Sequence, residues 1–133
     1  MATTTASITI SSGDLTGDAL SLSSTATLTK AASATGLDQT TGVARKFFAS
    51  AQANTNLIAA ADYTAGKAHK VYIKNTSTSN SEYVKVEMGS SNLSVGFLYG
   101  GDWLFMPYDG ENDIDIDTSD ANMTVEFLVI YEA

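Results

Sequence analysis

Cysteine is absent from the sequence, so disulfides, thiolate metal sites and thiol nucleophiles are all excluded. There is one proline, Pro107, one tryptophan, Trp103, and one histidine, His69. Cationic side chains are scarce: seven Lys and Arg stand against fifteen Asp and Glu, a formal charge of −8. A chain this acidic is poorly suited to nucleic acid, whose phosphates require a basic face. Long apolar runs are missing as well. The stretch at residues 127–131 is far too short to span a bilayer, so no membrane contact is expected. The first seven residues have neither the basic nor the apolar region of a secretory signal, which points to synthesis in a cytosol.

What the sequence does contain is hydroxyls and short apolar alternations. The 133 residues, 44% hydrophobic, suffice for one domain with one core. Ser and Thr together number 32, and this pair favours strands and turns. Charge is uneven along the chain. From Asn75 onward there are eleven acidic residues and a single basic one, Lys85, whereas Arg45, Lys46, Lys67, Lys70 and Lys74 dominate the middle. Unlike patches of this kind suit a basic partner surface or self-association.

Period-two alternation then sets the fold. Residues 1–5 lack a pattern and read as a flexible arm. Leu20, Leu22, Ala26 and Leu28 alternate with Ser and Thr, which predicts a half-buried strand. Residues 43–50 and 57–61 read as short strands, with a helix over 49–61 as the alternative. Val71 and Ile73 alternate with Lys70, Tyr72 and Lys74, and Val84, Val86 and Met88 share one face of the next run. These two runs read as a hairpin or meander. Residues 93–99, 103–106, 114–116 and 124–131 complete about nine strands. The expected fold is therefore all-β, an antiparallel, jelly-roll-like β-sandwich forming a single domain over residues 6–133. The last strand is apolar on both sides. It is either central or a subunit contact, and Val125, Phe127, Leu128, Ile130 and Tyr131 are the candidate interface.

No constellation of residues promises catalysis. With Ile114 and Ile116 facing inward, Asp113, Asp115 and Asp117 stand outward about 7 Å apart, twice the strand rise. Calcium requires several oxygens converging at about 2.4 Å, so a solvated or lysine-paired row is the favoured reading. Acids in one environment also lack the contrast that separates a general acid from a base. His69, between Lys67 and Lys70, reads as a surface histidine. No catalytic residue, metal ligand or cofactor site is expected. Trp103 and Tyr108 fit either a buried strand ended by Pro107 or a sugar-stacking platform.

The order His69-Lys-Val-Tyr-Ile-Lys-Asn-Thr76, Glu82-Tyr-Val-Lys-Val86, Leu98-Tyr-Gly-Gly-Asp-Trp-Leu-Phe-Met-Pro107, Asp113-Ile and Val125-Glu-Phe-Leu-Val129 resembles small virion structural proteins of tailed bacteriophages. The likeness covers about the second half of the chain and extends to proteins of marine and cyanobacterial phages. It implies a non-enzymatic capsid cement (decoration) protein, made in the host cytoplasm and carried on the outer capsid surface. The implied partners are the major capsid protein and further copies of the chain, most simply as a trimer. A tail or fibre component is the nearest rival. A carbohydrate-binding module using Trp103 and Tyr108 is a rival of another class.

Overall fold

The computed structural model describes residues 2–15 and 17–133. They fall into two compact units, Met1–Asp38 and Gln39–Ala133, where the sequence suggested one domain from residue 6.

The first unit is an antiparallel ribbon of β1 (Thr4–Ser12) and β2 (Leu20–Leu28). Thr4 and Thr5, read on sequence as part of an arm, are the first rungs of β1. The pairing Ile10↔Leu22 and Ala6↔Ala26 sets the aliphatic side chains on one face. Thr5, Ser7, Thr9 and Ser11 share the other face with Ser21, Ser23, Thr25 and Thr27. Near its base, Leu28 and Leu37 are buried, and the Leu37 amide donates to the Leu28 carbonyl at 2.9 Å. Lys30 and Asp38 form an ion pair at 3.0 Å beside them. Beyond that small cluster, Ile8, Ile10, Leu20 and Leu22 are exposed, so the strand predicted at 20–28 exists but its aliphatic face is uncovered.

The second unit holds β3 (Gln39–Thr40), β4 (Ala44–Phe48), β5 (Gln52–Ile58), β6 (His69–Asn75), β7 (Tyr83–Met88), β8 (Leu93–Tyr99), β9 (Trp103–Tyr108), β10 (Ile114–Thr118) and β11 (Met123–Tyr131). One sheet runs β5-β10-β7-β8. The other runs β4-β11-β6-β9, with β3 pairing the far end of β11. All pairs are antiparallel, and successive strands mostly switch sheets, which is the jelly-roll arrangement of two interleaved Greek keys. The hairpin expected between β6 and β7 is therefore absent. Those strands lie in opposite sheets, and the turn-rich segment after Asn75 is a crossover between layers. Among the described residues of this unit, β7–β8 is the one pairing of consecutive strands.

The inward faces follow the alternation. Val71 and Ile73 from β6, Val84 and Val86 from β7, Ile114 and Ile116 from β10, and Val125 and Val129 from β11 are fully buried together. Burying one such side chain stabilises the fold by roughly 1.5–3 kcal/mol. The helical alternative over 49–61 is replaced by β5 and a single 3-10 turn, Ala60–Asp62. Asn54, in the left-handed region at φ 49°, marks the irregularity in β5 that obscured its pattern. No helix among the described residues is long and apolar enough to cross a membrane.

Candidate functional site

His69 is fully buried, not on the surface. As the first residue of β6 it shares the inward face with Val71 and Ile73. Its Nδ1 accepts the Glu132 amide at 3.1 Å, which leaves Nε2 as the donor to the Thr64 carbonyl at 2.9 Å. Tyr63, Tyr108 and Tyr131 surround this corner, with Tyr63 edge-on to both other tyrosines. Both ring nitrogens are committed to backbone groups, so the histidine ties the loop before β6 and the residue after β11 to the start of β6. The Tyr108 hydroxyl, held up to about 12 by burial and then by the charges of Asp113 and Asp109, donates to the Asn112 carbonyl at 2.8 Å. Lys70, whose ammonium is disfavoured by burial, donates to the Ala68 carbonyl at 2.8 Å.

These contacts dissolve the stacking platform read from the sequence. Tyr108 points inward and is 3% exposed, while Trp103, five positions away on β9, points outward and is 50% exposed. Odd spacing on a strand puts two side chains on opposite faces. The candidate interface on β11 divides in the same way. Val125 is buried, Phe127 and Tyr131 pack on the core, and only Leu128 and Ile130 lie on the outer face.

That outer face is a surface the sequence did not assemble. Across it run two register rows, Arg45-Glu126-Lys74-Trp103 and Leu128-Tyr72-Phe105, with Ile130, Lys70 and Pro107 beyond them. Glu126 accepts from Arg45 at 2.8 Å and from the Tyr72 hydroxyl at 3.2 Å. The Arg45 bond holds the Glu126 carboxyl below the ordinary glutamate range. Burial, followed by the bond to Glu126, raises the Tyr72 phenol. Tyr72 and Trp103 lie 6.5 Å apart, centroid to centroid; Lys70 and Lys74 flank Tyr72 along β6, and Trp103 and Phe105 line the edge strand β9.

The outer face of the opposite sheet carries the acidic row. Asp113 accepts the Ala60 amide at 2.8 Å and Asp117 the Asn54 amide at 2.7 Å. Lys85 bridges Glu87 and Asp117. Asp115 titrates above the ordinary range because of burial, then the neighbouring charge of Asp113, with Glu87 adding to it. Glu87 is 1% exposed, and its Oε2 has no hydrogen-bond partner among the described residues. No group of three His, Asp or Glu side chains among the described residues converges as metal ligands would. Beside the acids, Tyr83 packs against Phe97 and Tyr99 at 5.1 and 5.8 Å, and both partners are about half exposed.

Fold and surfaces together define a jelly-roll unit whose chemistry-bearing side chains lie on two broad outer faces, accompanied by a ribbon with an aliphatic side. No family of known proteins, no curated protein and no solved structure matches the chain. Tyr72, Phe105, Phe97 and Tyr99 were overlooked in the sequence. Their signal was an aromatic alternating with aliphatic neighbours: Tyr72 between Val71 and Ile73, Phe97 and Tyr99 on either side of Leu98, and Phe105 between Leu104 and Met106.

Proposed function

We propose that the protein is a non-enzymatic virion structural component, a capsid cement protein that binds the outer shell surface and stabilises it. The observation that carries this reading is the uncovered aliphatic face of the ribbon: Ile8 at 38%, Ile10 at 43%, Leu20 at 40% and Leu22 at 46% exposed. A two-stranded ribbon is marginal by itself in water and gains stability when a partner covers such a face. The jelly roll supports the reading by analogy, since capsid and lectin domains share it. Binding energy delivered to an assembled shell stabilises that state by mass action.

The test is co-sedimentation of the protein with assembled phage shells, paired with a map of the particle. Wild type is expected to bind, and Ile10→Asp with Leu22→Asp is expected to lose binding while the circular dichroism of the larger unit persists. Density at the tail in place of the shell would transfer the reading to a tail component. Absence from the particle would end it.

A further inference from the structure

We propose that the two outer faces of the jelly-roll unit bind each other between copies of the chain, head to tail. One face presents Arg45, Lys70 and Lys74 against a single carboxylate, Glu126. The opposite face presents Asp113, Asp115 and Asp117 against a single lysine, Lys85, which also pairs with the buried Glu87. Each face sets a half-exposed aromatic strip beside its charges: Trp103 and Phe105 on the first, Phe97 and Tyr99 on the second. Lys74 has no salt-bridge partner among the described residues. The acidic row, conversely, is crowded enough to raise Asp115 through burial and its neighbours' charges. A second copy supplies to each face what that face is short of, and apolar strips meet where the charges end.

Face-to-itself pairing is disfavoured, because it sets like charges opposite one another. The contact is therefore heterologous. The two faces look away from each other across one core. Copies joined this way add along a line and do not close at three, so the trimer implied by the family resemblance needs another surface. Each face spans four short strands, on the order of 400 Å² in projection. That is about half the usual area per partner, so the association is weak, concentration-dependent and sensitive to salt. The inference rests on these faces alone. It stands or falls separately from the shell reading, since a chain can self-associate without meeting a shell.

The experiment uses the full chain in sedimentation velocity over a concentration series, with the emission of the sole tryptophan, Trp103, as a second readout. Wild type is expected to grow in mass without a plateau at three copies, to shift Trp103 emission to the blue, and to dissociate in about 1 M salt. Arg45→Glu with Lys74→Glu is expected to abolish growth, and so is Asp115→Lys with Asp117→Lys. An equimolar mixture of the two doubly substituted chains is expected to regain it, because their reversed faces complement each other. Trp103→Ala keeps the fold and weakens association at least about tenfold, the effect of losing an aromatic anchor. The proposal is overturned by a single-copy wild type up to about 1 mM, or by two folded variants that fail to complement. A three-copy plateau unmoved by either charge reversal overturns it equally.

Discussion

The Glu132 amide donates to Nδ1 of His69 across 3.1 Å, joining the residue after β11 to the first residue of β6 inside the sandwich's aromatic corner. His69→Ala strips that donor of its acceptor and leaves the Thr64 carbonyl without its partner as well. Loss of two buried hydrogen bonds and the ring volume is expected to cost about 2–4 kcal/mol in urea unfolding. An unchanged midpoint would show that water replaces the ring without penalty.

Asp115 provides a pH test. Folding raises its pKa, first through burial and then through the charge of Asp113. The folded chain thus holds this proton more tightly than the unfolded chain does. Stability from this group is present at acid pH and is lost as pH rises through the folded pKa. Asp115→Asn is expected to raise the melting temperature at neutral pH. The gain should shrink as both proteins are acidified; a gain that is constant with pH would mean the charge is not its cause.

A Cβ on Gly36 would run into the Ala2 carbonyl. Gly36→Ala is expected to destabilise the Met1–Asp38 unit by about 1–3 kcal/mol through overpacking. Hydrogen exchange should then quicken at β1 and β2 while β6 and β11 keep their protection. Equal loosening of both units would count against the division into two.

Ile116 is fully buried between the sheets, and Ile116→Ala should cost about 2–5 kcal/mol. Trp103→Ala, at an exposed outer position, should cost under about 1 kcal/mol. A reversed order in parallel denaturation curves would contradict the assignment of inner and outer faces.

Strands were legible wherever aliphatic and polar residues alternate without a break, as in β6, β7 and the first half of β11. The inward setting of Ile114 and Ile116, with the aspartates opposite, followed from the same rule. Sheet membership was not legible. Alternation fixes which way a side chain points along one strand, but partners such as Leu128 and Tyr72 are set by crossovers that leave no local trace. His69 was misread because its lysine neighbours suggested solvent, although period two counted back from Val71 and Ile73 sets it in the core. β1 went unread because its small hydroxyl-bearing residues diluted the signal of Ile8 and Ile10.

The β1–β2 pairing closes through one short connection, whereas most rungs of the jelly roll join strands distant in the chain. Hairpins form within about 1–10 μs, while folds built on non-local pairing take milliseconds to seconds. A newly made chain therefore displays its aliphatic ribbon long before the sandwich has closed. During that interval Ile8, Ile10, Leu20 and Leu22 are exposed together with the still unpaired core strands, so contact between nascent copies competes with closure of the fold.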